Sequence, residues 1–467
     1  MEFDCCKSKE SQACHETLKG RINVQERPNI LFLMSDEHRA DVAGFAGNDV
    51  VRTPVLDQLA ADGVVFANAY TPAPVCIPAR QSIMAGQFPS TTGCKTSGQD
   101  LPPGYMTYAR RLSQYGYNAV AAGKLSHHGT DQLQGWTQRI CGDIKLLPKY
   151  IEGLKEDEMA KYAQPSVKWS DTKEVLRAGI GRGPSVEFDE YVVQGALNFI
   201  ESYFNDPYYD RPSNQPLLLK VSLKQPHYPY FTSEEKFNYY LNRVPVYLDQ
   251  AVSDHPFLSR RQVRQGIDAS ERELRRATAA YYGMVETIDE HYGRILEALK
   301  HVGQNLDDWI IIYTSDHGEM LGEHGVWEKQ KFYEGSVKVP LIIRWPNGFS
   351  GNRIAEQNVN LCDLFATICE LTGIPVPSGL DSRSLVPFLR GDKNAAWPDE
   401  TISQYGGKHL MIKRGKLKYQ YYEDMPEVLF DLERNPDETV NYIDDPKYAQ
   451  DLAYFRKRSM ELGFSIN

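Results

Sequence analysis

The sequence predicts an α/β protein: a large, mainly parallel sheet sandwiched by helices, with a smaller C-terminal subdomain built on a short antiparallel sheet and a terminal helix. Three observations carry this. Continuous apolar runs at 29–34, 216–222 and 309–314 suit strands buried on both faces. Segments of helical period lie between them, as in Met284, Ile288, Ile295 and Leu299. After a Pro, Gly and Ser-rich stretch reaching Asp392, short apolar runs at 410–412, 417–422 and 428–431 read as antiparallel strands. The expected division is a polar tail over 1–27, the large α/β domain over 28–390, and the C-terminal subdomain over 391–467.

In order, the tail is aperiodic, and its Cys5, Cys6, Cys14 and His15 match no zinc spacing. The first strand ends at Ser35-Asp36-Glu37-His38. Thr53-Pro54 opens a helix with Val55, Leu56, Leu59 and Ala60 on one stripe, and Asp62-Gly63 stops it. Pro78 is expected at the first position of a short helix over 79–85 closed by Gly86. A helix over 105–114 and a strand over 117–122 lead to Gly123-Lys124. The irregular stretch 141–182 reads as an insertion bordering a pocket, followed by a helix over 188–204. The strand at 216–222 leads to Gln225-Pro226-His227, and a long helix covers 270–301. The strand at 309–314 then repeats the opening move, ending at Ser315-Asp316-His317-Gly318, with a further strand near 339–344 and a helix over 361–371.

Composition bounds the function. With 41% hydrophobic and 24% charged residues over 467 positions, the chain can bury a large core. A net charge of -10 argues against a nucleic-acid partner, so any anion site is local. No apolar run spans a bilayer, and no basic start precedes an apolar stretch, so the expectation is no membrane partner and a cytoplasmic address, or a periplasmic or secreted one if the true N-terminus is missing. Eight scattered cysteines do not form a disulfide scaffold.

Cys76, next to a helix start and one turn from Arg80, sits where unpaired N–H groups and a guanidinium favour a thiolate or an anionic substrate. Asp36 and Asp316, each at the carboxyl end of a buried strand, can meet in one crevice and offer hard oxygen ligands to a divalent cation.

Cys76-x-Pro-x-Arg80, taken with Arg52-Thr53-Pro54, Gly123-Lys124, Pro226-His227, Ser315-Asp316-His317-Gly318, Gly322-Glu323-His324-Gly325 and Trp327-Glu328-Lys329 in this order, resembles the type I, formylglycine-dependent sulfatases of the alkaline phosphatase superfamily. The resemblance runs from about residue 28 to 390, with a further stretch at 429–433. It implies that a maturation enzyme oxidises Cys76 to formylglycine, and that Asp36, Glu37, Asp316 and His317, with position 76 itself, surround a metal. Arg80 falls beside the nucleophile, Lys124 at a sulfate-binding position, and His227 and Lys329 at the scissile oxygen and transferred group. His127 matches the iduronate sulfatase spacing Gly-Lys-x-x-His, with His128 next to it as the alternative. Glu37 and His317 depart from the commoner Asp and Asn, so Ca²⁺ is the first expectation and Mn²⁺ or another divalent ion the second.

By this resemblance the reaction is hydrolysis of a sulfate monoester. A hydrated aldehyde offers one hydroxyl to attack sulfur and a second whose deprotonation expels sulfate, which serine could not do. Asp316 would accept the first proton, His227 or Lys329 would protonate the leaving oxygen, and His127 would deprotonate the second hydroxyl. The acidic chain favours a small or chain-terminal sulfated saccharide over an extended polyanion. A phosphonate monoester or phosphodiester hydrolase of the same superfamily is the alternative.

Overall fold

The computed structural model describes residues 27–147, 150, 170–205, 215–248, 253–392 and 394–464. The N-terminal cysteines and half of the expected insertion lie outside these residues. Elements used below are β1 (Ile30–Asp36), α1 (Pro54–Ala61), β2 (Val64–Tyr70), α2 (Cys76–Ala85), α3 (Tyr108–Gln114), β3 (Asn118–Gly123), β4 (Gln138–Gly142), α4 (Pro184–Asn205), β5 (Leu217–Pro226), α5 (Glu271–His301) and β6 (Ile310–Ser315). They continue with β7 (Leu341–Arg344), β8 (Arg353–Asn360), α6 (Leu364–Leu371), β9 (Glu400–Tyr405), β10 (His409–Arg414), β11 (Leu417–Tyr422), β12 (Val428–Asp431) and α7 (Ala449–Glu461).

The central sheet runs β8-β2-β7-β6-β1-β5-β3-β4, with the short strand Lys338–Val339 added to β2. Neighbours are parallel except β7, antiparallel to both β2 and β6, and Lys338–Val339. The apolar runs fall here because alternate residues of one strand enter two cores. Ile30, Phe32 and Met34 face the side of α2, α3 and α6, whereas Leu31 and Leu33 face α1, α4 and α5. β1 lies between β5 and β6, and Ser35 pairs in register with Ser315. Both Ser-Asp turns therefore emerge side by side at the carboxyl edge.

The second sheet, β9-β10-β11-β12, is wholly antiparallel, and α7 packs against it through Leu452 and Phe455. It reaches the Cys76 loop: Gln404 N donates to Pro72 O at 2.8 Å, and the Tyr405 hydroxyl to Gln330 Oε1 at 2.9 Å. No helix among the described residues is long and apolar enough to cross a membrane.

Three helix starts differ from expectation. α2 begins at Cys76, so Pro78 occupies its third position, where its missing N–H is still one the helix cannot use. Gly86 closes α2 in the left-handed region, as expected. α3 starts only at Tyr108 because the Thr107 side chain accepts from Arg110 N. α4 starts earlier, at Pro184.

Candidate active site

Cys76, at the first turn of α2, projects toward the ends of β1 and β6. Its Sγ lies 3.2 Å from His317 Nε2 and 3.5 Å from Asp36 Oδ1. His317 Nδ1 faces Gly318 O at 3.0 Å and so carries the ring proton, which leaves the Nε2 lone pair directed at the cluster. Arg80, one turn into α2 and 2% exposed, donates from Nε to Asp316 Oδ2 at 2.7 Å and from a terminal nitrogen to Ser222 Oγ at 2.8 Å. Its other terminal nitrogen, 3.5 Å from Asp36 Oδ2, is buried without a hydrogen-bond partner. Lys124, at the end of β3, pairs with Asp36 Oδ2.

The loop after β6 brings in the third cation. Lys329 Nζ lies 2.8 Å from Glu37 Oε2, and His227 Nε2 lies 3.4 Å from the same oxygen. His227 Nδ1 faces Tyr228 O at 2.7 Å, so Nδ1 carries the proton and Nε2 is the acceptor. The loop is held by Glu319, whose Oε1 accepts from Leu321 N and Glu328 N and whose Oε2 accepts from the Tyr230 hydroxyl. A cavity of about 610 Å³ bordered by Arg39, Tyr70, Lys338 and Lys413 includes none of the clustered groups. The site is the crevice at the sheet edge, where Cys76, Lys124 and His227 are partly exposed.

Charge is concentrated here. Burial would raise Asp36, but Lys124, Arg80 and Lys329 together outweigh it and hold this carboxyl well below the usual range. Burial pushes Glu37 up to about 8 against the pull of Lys329. Burial, then Asp36, drives the Cys76 thiol up to about 12. Burial and the carboxylates in front of it thus outweigh the expected thiolate-friendly helix start and favour the neutral thiol.

Ligand atoms of Asp36, Cys76, Asp316 and His317 lie within 4.8 Å of one another, and a second such group joins Asp36, Glu37 and His227. The donor set fits a divalent cation: two carboxylates, an imidazole lone pair and the position-76 side chain converge in a buried space. Glu37, expected in the same set, falls in the second group with Asp36 and also lies against Lys329. Its backbone has a left-handed φ of 68°, and its own N–H donates to Asp316 Oδ1 at 3.1 Å. Glu37 Oε1 remains buried and without a hydrogen-bond partner.

Of the sequence-derived residues, the structure brings together Asp36, Glu37, Cys76, Arg80, Lys124, His227, Asp316, His317 and Lys329. His127 stands apart. It is fully buried, with Nε2 accepting from Trp136 Nε1 and Nδ1 beside Gln81 Nε2, each at 3.3 Å. His128 Nε2 lies 3.7 Å from Asp143. Sequence reasoning missed Ser222, Glu319, and Tyr281, whose hydroxyl donates to Glu37 O at 2.6 Å. Only Glu319, in the same run as Asp316-His317-Gly318, offered a sequence signal.

Comparison with known proteins agrees with this geometry. The sulfatase family model matches residues 28–374, and the model of the N-sulphoglucosamine sulphohydrolase C-terminal region matches 322–463. A choline-sulfatase of Rhizobium meliloti is 31% identical over 91% of this chain and 84% of its own length. The fold is similar to that of a phosphonate monoester hydrolase of Agrobacterium radiobacter, with a TM-score of 0.75, 24% identity, and coverage of 93% of this chain and 95% of that one. It is also similar to an enzyme solved in complex with its substrate D-glucosamine-2-N,6-O-disulfate, with a TM-score of 0.73, 20% identity, and coverage of 94% and 98%. By its matched length and its relatives, the chain belongs to the sulfatase family of the alkaline phosphatase superfamily, the hydrolases of sulfuric esters.

Proposed function

We propose that this sulfatase cleaves the sulfate monoester of a small or chain-terminal saccharide, with formylglycine made from Cys76 by a maturation enzyme and a divalent cation beside it. The convergence of Arg80, Lys124 and Lys329 with Asp36, Asp316 and His317 around one partly exposed position supports the reading best. Asp36, Asp316, His317 and position 76 would hold the cation, Ca²⁺ first and Mn²⁺ second given the imidazole, and it would supply charge neutralisation at a sulfate oxygen. The hydrated aldehyde would supply the attacking hydroxyl and a second one from which sulfate can be eliminated.

The chain's own residues orient and neutralise. The unpartnered terminal nitrogen of Arg80 is available to a sulfate oxygen, and Lys124 and Lys329 border the same space. The carboxylates of Glu37 and Asp36 favour the charged form of Lys329 despite its burial. Lys329 is therefore the donor to the leaving oxygen, because His227 presents an unprotonated Nε2 toward Glu37. Asp316, oriented by Arg80 Nε and two backbone amides, is the acceptor for the proton of the attacking hydroxyl, and Asp36 lies 3.5 Å from the position-76 sulfur.

The similar phosphonate monoester hydrolase fold and the nitrogen ligand favour a second reading, hydrolysis of phosphonate monoesters. The mass of the peptide containing position 76 first establishes conversion to the aldehyde. The converted enzyme is then expected to turn over an aryl sulfate with higher kcat/KM than the matching aryl phosphonate; the reverse order would replace the first reading by the second.

A further inference from the structure

Arg39 stands just past the end of β1, outside the cluster of reacting groups, and its whole guanidinium is engaged. Nε and one terminal nitrogen grip Asp41 at 2.6 and 3.0 Å, and the same terminal nitrogen reaches the Tyr247 hydroxyl at 3.3 Å. The other terminal nitrogen crosses to the loop after β6. It lies 2.7 Å from Glu323 Oε2 and donates to the carbonyls of Met320 and Glu319 at 3.1 and 3.4 Å. A rigid planar fork suits this span, because one edge holds a carboxylate while the opposite end holds the loop.

The contacts continue to two sides of the active site. On one side the Arg39 N–H donates to the Tyr281 hydroxyl at 2.9 Å, and that hydroxyl donates to Glu37 O. On the other, the Glu319 carboxylate accepts from Glu328 N, and Met320 N donates to Glu328 O at 2.8 Å, directly before Lys329. Lys329 then returns to Glu37 Oε2. Turn, guanidinium, loop and ammonium thus form a closed circuit.

A distant element leaves room for this guanidinium. The backbone of Gly335 is outside the left-handed region and does not itself call for glycine. A Cβ there, however, would stand 2.7 Å from the Arg39 terminal nitrogen and 3.2 Å from both Glu319 O and Glu323 Oε2. The guanidinium also borders the 610 Å³ cavity, which gives a small solute a route to it.

We infer that Arg39 is a positioning residue for Lys329: it fastens the loop after β6 to the turn after β1 and so sets the ammonium against the leaving oxygen. As the S–O bond breaks, its electron pair goes to that oxygen, which takes the Lys329 proton. Arg39 touches neither atom. The inference rests on the reading of Lys329 as the donor.

The test is turnover of phenyl sulfate and 4-nitrophenyl sulfate by the converted, metal-loaded full chain. Phenolate needs a proton as it leaves, whereas 4-nitrophenolate needs little help. Arg39→Ala should lower kcat on phenyl sulfate about 10²-fold, the cost of misplacing a catalytic group by about 1 Å, and on 4-nitrophenyl sulfate less than about fivefold. Ethylguanidinium, entering from the cavity, should restore at least about fivefold of the phenyl sulfate rate in Arg39→Ala and none in Lys329→Ala. Gly335→Ala keeps Arg39 in the chain and displaces only its head, so it should show the same selective loss at about tenfold, whether or not Arg39→Ala folds. An equal loss on both esters, no loss, or a loss that ethylguanidinium leaves unchanged would overturn the role. Lys329→Ala separates the two claims. If it loses phenyl sulfate selectively and the Arg39 and Gly335 variants do not, the donor reading stands and the positioning role falls. If it spares phenyl sulfate while Arg39→Ala loses it, Lys329 is not the donor and the loop is still governed by Arg39.

Discussion

The ends of β1 and β6 are the same local structure put to different uses. Each is a buried strand closing on Ser-Asp, and Ser35 and Ser315 are register partners. Yet the two carboxylates live differently. Asp316 is held: Arg80 Nε, the Glu37 N–H and the His317 N–H all donate to it. Asp36 faces outward to the partly exposed Lys124 and Cys76. The following residues diverge in the opposite sense. His38 is locked between the Tyr313 hydroxyl and Val42 O, whereas His317 presents a free lone pair to Cys76. A turn thus supplies the residue type, and the elements packed around it decide whether that residue holds or reacts.

The largest expected effect separates these two roles. Asp36→Ala should cost kcat/KM at least about 10³-fold with a stability loss near 1 kcal/mol, since Arg80 keeps Asp316 and Lys124 can reach solvent. Asp316→Ala should abolish activity too, but also cost about 3–5 kcal/mol by leaving Arg80 buried and two amides unpaired. Sulfate release and urea denaturation measure both, and equal stability losses would break the distinction.

His127 tests whether an inward-facing residue belongs with the reacting or the holding groups. Its contacts with Trp136 and Gln81 lead us to expect that His127→Ala lowers stability by about 1–3 kcal/mol and kcat by no more than about tenfold. Burst kinetics with 4-nitrophenyl sulfate decide the matter: one equivalent released and then a stall would make it the base that expels sulfate.

The smallest effect concerns a charge that does neither. Lys220, one pleat below Ser222, is buried against the Phe32 ring and 3.1 Å from the Tyr108 hydroxyl. Burial, then Arg80, pushes its ammonium well below the usual lysine value. Folding therefore disfavours its charged form, so Lys220 subtracts from stability at neutral pH and subtracts less as pH climbs toward the unfolded value of about 10.4. Lys220→Met should stabilise the protein by about 1 kcal/mol at pH 7 and flatten that rise, read by denaturation at neutral and alkaline pH.

Much of this was legible because the informative strands are covered on both faces. The runs ending at Asp36 and Asp316 are nearly all apolar, so their position and the edge they reach followed from composition. The order of Cys76, Arg80, Lys124, His227 and Lys329 identified the residues that meet. Side-chain direction was not legible. Glu37 reaches Lys329 from a residue with positive φ, and His127 contacts Trp136, which approaches from the segment between β3 and β4. The same holds for Ser222, whose importance comes from a neighbour distant in sequence.

The pairing of β1 with β6 has a consequence for how such a site can diverge. Asp36 and Asp316 leave adjacent strands, so their spacing derives from the roughly 4.8 Å repeat of a hydrogen-bonded sheet. Loop insertions cannot widen it, and mutation of surrounding side chains cannot close it. Evolution can remodel the rim around His227 to accept new esters, while the gauge between the two carboxylates stays set by the backbone.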